Sequence, residues 1–531
     1  MAEMSVTILM LIPILLPFVA ALVIFGFKKW LKSFAAELGA GVLIAIVALI
    51  AALNYRIMNS STKILYGVYN TSVGNEYGPP IGVQFRADGF STWFMLLINI
   101  IIIFVFIFES AKQREKPEAP IYVSIILFLV AGINGVSLSY DFLTMILSWV
   151  IIGVSLISLI SFKRQTENLK EGGVRSFILI GLSIALLLLA VVLCYGVFGT
   201  LNFDTIRNDD AIMSSSRIQN IPFVIYTIIA LVVIGFGIFA NVFLLNLWMP
   251  KTIQKTSGTT QFFMMGITSS LALVSMFRVL LSFFNPENYD MANYPMLLAI
   301  FGLLTAFEGA LLLIYQVTKK ESENISLTKI IIFSAFANIG IILTCLSLGS
   351  MSIESSQESL LSIKECMGYS MLQMINLALS MFLSFTAKDR IVEKRNMSDS
   401  LPDLKGIARE YPLTTFILIV SIFSTIGLLP TFGGVNLYML LLSLIKLDCL
   451  FFAIALIVIV IMMLFGYLLV FKYILFGKST RDVNLTEGGL SRDLSLQTFF
   501  GLLLALCLIV FGLLPFIIDN QIVEYIDLFF S

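Results

Sequence analysis

IGFGIFANVFLLNLWMPKTIQKTSGTTQFFMMGITSSLALVSMFR, Ile234 to Arg278, is the stretch from which the rest of the chain can be read. An apolar helix is expected to reach Trp248-Met249-Pro250, where proline stops it. A short polar run with Lys251 and Lys255 follows, and a second apolar helix then carries a lone Arg278. A helix broken at membrane depth and a charge inside the next helix are both costly, so both point to function. Broken helices free backbone polar ends beside a hydrated path, as in secondary transporters and their relatives.

Composition sets the class. Of the 531 residues 59% are hydrophobic and 12% charged, whereas a soluble globule is apolar at only about 45–50%. The chain is a polytopic membrane protein. Lys+Arg and Asp+Glu are both 33, and no basic cluster with interleaved aromatics suggests a nucleic-acid partner. Cys194, Cys345, Cys366, Cys449 and Cys507 are scattered singly, without the paired spacing of a zinc or iron–sulfur site, and are expected to be buried structural thiols. There is no histidine, which removes the commonest metal ligand and the usual neutral-pH proton carrier. No phosphate-binding glycine loop or nucleophilic triad is present either. The chain is expected to carry no catalytic centre, metal or cofactor of its own.

Apolar runs long enough to span, each about 20 residues, fall near 4–27, 34–53, 90–108, 119–139, 141–161, 176–198, 221–247, 259–284, 295–317, 330–349, 366–386, 412–430, 449–476 and 496–518. An all-α protein of about 14 transmembrane helices is expected. The first run lacks a small-residue cleavage site and reads as a retained span. Connections after odd-numbered spans carry most of the basic residues, such as Lys28, Lys29, Lys32, Lys163, Arg164, Lys388, Arg390, Lys394 and Arg395. Those after even-numbered spans hold only Arg56, Lys63, Arg86, Arg207, Arg217, Lys364 and Lys446. Basic loops stay in the cytoplasm, so the chain is expected in the cytoplasmic membrane with both termini on the outer side.

No soluble domain interrupts the spans. Span 7 breaks at Trp248-Met249-Pro250 and span 12 in GLLPTFGGVN, Gly427 to Asn436. Two interruptions five spans apart suggest two inverted five-helix repeats, spans 4–8 and 9–13. The expected organisation is residues 1–118 as spans 1–3 with an outer loop marked by Gly78-Pro79-Pro80, residues 119–475 as the repeat core, and residues 476–531 as a loop with span 14.

The chain resembles the antiporter-like membrane subunits shared by respiratory complex I, energy-converting membrane hydrogenases and Mrp-type cation/proton antiporters. The resemblance runs from about residue 78 to about residue 475. It rests on GPPIGVQFRADGFS (78–91); Asp141 with Trp149; Tyr195-Gly196 and Gly199-Thr200-Leu201-Asn202-Phe203; Trp248-Met249-Pro250; Gly266 and Arg278; Thr305, Gly309-Ala310 and Gln316; Lys329, Ser334 and Gly340; and LKGIAREYPLTT (404–415) before Gly427, Pro430 and Gly433. No one of these is specific; their order and spacing together are.

The departures from the family pattern are informative. Family members place a carboxylate after the tryptophan of span 5, lysines in spans 7 and 8, and a lysine or glutamate after the break in span 12. Val150, Phe239, Ser270 and Leu437 stand at those places here. Asn246, Asn338 and Leu377 occupy positions of midplane histidines, and Met381 stands where span 11 often has lysine. Proton transfer across about 30 Å of hydrocarbon needs groups that titrate or a file of water. Val, Phe and Leu supply neither, while Asn and Ser hold water without titrating.

Few other ion-path candidates remain. Glu308 lies mid-span, Arg278 could partner it, and Lys472 is placed to snorkel to the surface. Asp141 and Arg175 sit at helix ends, where charges usually stay wet. The resemblance implies an antiporter-like integral subunit of a redox-driven ion-translocating complex, a complex I-like NADH/quinone-type dehydrogenase or an energy-converting hydrogenase. With the usual proton-path residues replaced, the subunit is either structural or has an altered ion path. Its partners would be the lipid bilayer and other membrane subunits, with the redox cofactors in other chains. A free-standing cation/proton antiporter or other exporter fits composition and broken helices equally well, but leaves the ordered matches unexplained.

Overall fold

Runs that are apolar on every face become helices because in hydrocarbon each backbone amide must find its partner within its own segment. The computed structural model describes residues 2–32, 34–58, 64–69, 83–113, 118–162, 167–203, 222–284, 294–319, 325–351, 357–395, 398–476, 493 and 495–513. The helices are α1 (Ala2–Gly26), α2 (Ala35–Met58), α3 (Gly89–Gln113), α4 (Ala119–Leu138), α5 (Phe142–Ser161), α6 (Glu167–Phe198), α7 (Pro222–Ala240), α8 (Met249–Ile253), α9 (Gly258–Phe283), α10 (Tyr294–Thr318), α11 (Leu327–Gly349), α12 (Gln357–Arg395), α13 (Ile407–Glu410), α14 (Pro412–Ile426), α15 (Phe432–Lys446), α16 (Leu450–Phe476) and α17 (Leu496–Leu513). Among the described residues, eleven helices are long and apolar enough to cross a membrane. Two of the three other expected spans are shorter apolar helices, Ser91–Ile107 within α3 and Gln497–Leu513 within α17; the third is broken, with α14 joined at a bend to Pro402–Glu410 and α15 (Phe432–Lys446) a shorter apolar helix after it.

Three details differ from the expectation. The outer loop before α3 holds an antiparallel pair, β1 (Ile64–Tyr69) and β2 (Val83–Asp88), with Ile64 opposite Asp88; alternating VQFRAD carried this signal. Gly78-Pro79-Pro80 and most of the outer loop 199–220 lie outside the described residues. Span 7 breaks earlier than expected, at Ala240, and Pro250 lies in the first turn of α8. Proline starts a helix well, since its fixed φ suits the first turn and its missing N–H would have no partner there. Third, α12 runs on to Arg395, well past the apolar run ending near residue 386.

Span 12 breaks where expected, between Ile426 and Phe432. It is entered by a bend of 114° between Pro402–Glu410 and Pro412–Ile426. Arg395 ties this bend down. Its guanidinium bonds Glu410 at 2.5 and 3.0 Å, the Lys405 carbonyl at 3.1 Å and the Asp403 carbonyl.

The chain divides into two compact units, one with Met1–Ala240 and the segment from Leu271, the other with Asn241–Ser270 and the chain from Met291. Each contains the same backbone device. In the first, Asp141 caps α5 by accepting from the Thr144 amide. The Phe142 N–H donates to Leu201 O at 3.1 Å, and the Phe203 N–H to Tyr140 O at 3.4 Å. In the second, Ser326 caps α11 by accepting from the Lys329 amide. The Leu327 N–H donates to Asp399 O at 2.9 Å, and the Leu401 N–H to Ile325 O at 2.8 Å. Residues 140, 142 and 144 answer 325, 327 and 329, a correspondence that two five-helix repeats would produce.

Candidate ion-path site at the broken helices

A helix end inside a membrane must hand its last carbonyls to new donors. At the end of α14, Gly427 takes the left-handed conformation (φ 88°), and the Gly427 and Leu428 amides both return to Phe423 O, a glycine cap. The next carbonyls go to side-chain amides: Asn376 Nδ2 of α12 donates to Ser424 O at 3.2 Å and Asn338 Nδ2 of α11 to Thr425 O at 2.8 Å. The Ser424 hydroxyl returns to Asn376 Oδ1 at 2.5 Å, and Gln373 Nε2 donates to Asn338 Oδ1 at 3.0 Å. Across the gap, Thr431 caps α15, and the Gly433 N–H reaches Ser424 Oγ at 3.2 Å. A Cβ on Gly433 would lie 1.9 Å from Ser424 O, so only glycine fits. Asn338, Gln373, Asn376, Ser424 and Asn436 are all buried. Gln373 Oε1 and Asn436 Nδ2 meet no hydrogen-bond partner among the described residues. The site is polar, buried and without a formal charge.

The α7/α8 break is different. Asn241 (φ 62°) and Leu244 (φ 66°) both lie in the left-handed region, tolerable for asparagine and strained for leucine. The Phe243 N–H donates to Thr305 Oγ1 at 2.9 Å, and the Thr305 hydroxyl donates to Phe301 O at 2.7 Å. On the same face of α10, Glu308 Oε2 accepts from Asn246 Nδ2 at 2.8 Å. Glu308 is half-buried. Asn246 Oδ1 and Trp248 Nε1 are buried with no hydrogen-bond partner among the described residues. This break therefore presents a carboxylate and two spare polar atoms.

Arg278 takes another partner than the one suggested for it. Its Nη2 lies 3.3 Å from Asp88 Oδ2 and 3.0 Å from Ser91 Oγ, and Nη1 donates to the carbonyls of Ser137 at 3.2 Å and Ser139 at 3.3 Å. Arg86 Nε is 3.8 Å from the same carboxylate, and Asp88 Oδ1 accepts from the Ser91 amide at 2.6 Å. Arg278 thus pairs with Asp88, which ends β2 and opens α3, and Glu308 is held by a neutral amide. A cavity of about 10 Å³ beside Arg278, lined also by Ser91, Ser137 and Ser275, has room for at most one water. Asp141 is buried and not wet: it accepts from the Gln84 amide at 2.9 Å and from the Thr144 amide at 2.7 Å. Arg175 is partly exposed, paired with Glu171 at 2.5 Å.

Three of the four positions singled out from the resemblance, Phe239, Ser270 and Leu437, are buried. The Phe239 ring lies 4.5 Å from that of Trp149, whose Nε1 donates to Ser275 Oγ at 3.1 Å. Ser270 bonds its own helix at Gly266 O at 2.7 Å, just past a π-turn at Phe263–Thr268. Leu437 is buried against Gly427. Val150 is only half-buried. Lys472 is exposed one turn from the end of α16, as snorkelling requires.

Residues 139–466 match the family model described as "NADH:quinone oxidoreductase/Mrp antiporter, TM". The chain belongs to this family. NADH-quinone oxidoreductase subunit N of Thioalkalivibrio sulfidiphilus is 23% identical over 396 residues, 74% of this chain and 76% of that protein. Subunit N of Desulforamulus reducens is 25% identical over 360 residues, 66% of this chain and 68% of that one. In fold, the chain is similar to one in the membrane-bound sulfane sulfur reductase, an archaeal respiratory membrane complex (TM-score 0.81, 19% identity, 98% of each chain). It is likewise similar to one in the Mrp complex of a Dietzia species (TM-score 0.79, 17% identity, 100% of this chain and 98% of that one).

Sequence reading of this antiporter-family chain missed a buried ionic group toward the C-terminal end of α12. Lys388 Nζ lies 2.6 Å from Asp389 Oδ1 and donates to Gln261 Oε1 at 2.9 Å, while Asp389 Oδ2 accepts from the Gly258 amide at 2.6 Å at the start of α9. Gln261 in turn donates to the Ile253 and Thr256 carbonyls at 2.9 and 3.1 Å. Nearby in sequence, Lys394 pairs with fully buried Asp493 at 3.2 Å. Counting these charges as loop residues hid them. The available signal was the charged stretch AKDRIVEKR (387–395), whose helix formers let α12 continue.

Proposed function

We propose that this chain is an integral membrane subunit of a redox-driven ion-translocating assembly, of the complex I-like or energy-converting kind, and that it keeps the antiporter fold with the usual proton-path residues replaced. The observation that carries this reading is the α14/α15 break, whose freed carbonyls are met by Asn338 and Asn376, side chains that hold charge-free hydrogen bonds and do not titrate. The packing of Phe239 and Leu437 supports it, since apolar side chains at those places leave no room for a relay. In this role the subunit bridges conducting neighbours and conducts no protons itself. The charge bias of the loops supports a cytoplasmic-membrane location with both termini outside. Redox centres would lie in other subunits.

The test is purification of the native assembly in mild detergent, with its components identified by mass spectrometry. We expect this chain to co-purify stoichiometrically with further membrane subunits and with redox subunits. A chain that purifies alone and exchanges cations for protons in proteoliposomes would overturn the reading in favour of a free-standing antiporter.

A further inference from the structure

The turn that joins α1 to α2 sets lysines and exposed aromatic rings side by side. Its sequence from Phe25 is FGFKKWLK, and Phe34 leads into α2. The turn closes on its own backbone: the Phe27 N–H donates to Val23 O at 2.9 Å, the Trp30 and Leu31 N–H groups to Phe27 O at 2.9 and 3.0 Å, and the Leu38 N–H to Phe34 O at 2.9 Å. Ile24 before it and Ala35 after it are buried and hold it in place. Between them every residue from Phe25 to Trp30 is exposed, as are Lys32 and Phe34. Trp30 is 84% exposed, more than any other large apolar side chain among the described residues. Lys28 Nζ lies 5.5 Å from the centre of the Phe25 ring. From Met4 to Ala36 the chain carries Lys28, Lys29 and Lys32 and no Asp or Glu.

The depth of the turn follows from α1. Leu15, Val19, Leu22 and Phe25 are all exposed and fall on one face of the helix. That face meets acyl chains, and the ten residues from Leu15 to Phe25 climb about 15 Å, half of a hydrocarbon layer about 30 Å thick. The stripe therefore runs without interruption into the turn, which lies where acyl chains give way to headgroups. Tryptophan favours that boundary because its ring is apolar and its N–H is polar, and lysine stems lie along apolar surface while their ammonium groups reach outward. We infer that the α1–α2 turn is a binding surface for anionic phospholipid headgroups, with Phe27, Trp30 and Phe34 at the acyl boundary and Lys28, Lys29 and Lys32 on the phosphates. A protein partner would have to supply an apolar seat for Trp30 and carboxylates for three lysines within one short turn, whereas the edge of an anionic bilayer offers acyl carbon and phosphate together along its whole surface. The inference requires only that α1 and α2 span the bilayer; it depends neither on which side the turn faces nor on the assembly proposed above.

The test places the full-length chain in phosphatidylcholine vesicles containing either brominated phosphatidylglycerol or brominated phosphatidylcholine, and reads Trp30 emission as the difference between wild type and Trp30→Phe. Both brominated lipids should quench Trp30, and across lipid mixtures the association constant of phosphatidylglycerol relative to phosphatidylcholine should be about fivefold or more, which is what one lysine near an anionic surface supplies. Replacing Lys28, Lys29 and Lys32 together by Gln should bring that ratio to about one while quenching by either lipid persists. If the triple variant does not accumulate, salt serves instead, because raising it from about 0.1 to 1 M shortens the screening length from about 10 to 3 Å and should remove most of the preference in wild type. Equal association of the two lipids with wild type, a preference that survives the triple substitution or high salt, or a Trp30 that neither lipid quenches because protein or water surrounds it, would each overturn the inference.

Discussion

The two broken helices meet their neighbours with different chemistry. At the α14/α15 break the freed carbonyls of Ser424 and Thr425 are met by amides from α12 and α11, in a site that is buried throughout and formally neutral. At the α7/α8 break a half-buried carboxylate, Glu308, takes the amide of Asn246. The contrast separates two jobs. A broken helix needs donors for its carbonyls, and uncharged amides supply them without the desolvation cost of a buried ion. Ion transfer needs a group that changes charge, and of the two breaks only the α7/α8 one has a carboxylate.

If the α14/α15 break is a closed structural joint, disturbing it should cost far more than disturbing the other. The largest effect is expected from Gly433→Ala, because the added methyl would meet the Ser424 carbonyl at 1.9 Å and backbone cannot yield cheaply. Overpacking of this kind costs roughly 3 kcal/mol or more. The protein should fail to accumulate in a monodisperse detergent peak, and normal accumulation would mean that the joint is loose. Next comes Asn376→Leu, which removes the donor to Ser424 O and the acceptor of its hydroxyl. Leaving both buried and unmet should cost about 2–3 kcal/mol, read as a lower melting temperature. Asn246→Leu should have the smallest effect, about 1 kcal/mol or less, since half-buried Glu308 can turn to water. Equal losses from Asn376→Leu and Asn246→Leu would erase the distinction between the two breaks.

How much of this could be read in advance follows the kind of signal involved. Span positions came from runs of about twenty apolar residues, and the α14/α15 break from Gly427, Pro430 and Gly433, whose conformational demands are local. The α7/α8 break was legible only as a break. Pro250 looked like a stop and instead starts α8, because the true stop is a pair of left-handed residues, Asn241 and Leu244, that no glycine announces. Partners were the least legible. Arg278 finds Asp88 across 190 positions of sequence, and nothing local in either residue names the other. Falling hydropathy puts Lys388 in a loop, yet α12 carries it on as a buried member of an ion pair. Cys345 and Cys366 look solitary in sequence for the same reason: the Cys366 thiol donates to the Cys345 carbonyl at 3.3 Å, a contact between helices that spacing does not reveal.

The central claim, that this subunit keeps the antiporter fold without a titrating path of its own, is tested most directly at Glu308. Glu308→Gln keeps the shape and can still accept from Asn246 Nδ2, while it removes the charge and the exchangeable proton. In vesicles carrying the assembled complex, ions translocated per electron transferred should stay within about twofold of wild type, with subunit composition unchanged. A drop of roughly tenfold or more in that ratio, in a complex that assembles normally, would show that Glu308 carries protons and that the subunit conducts.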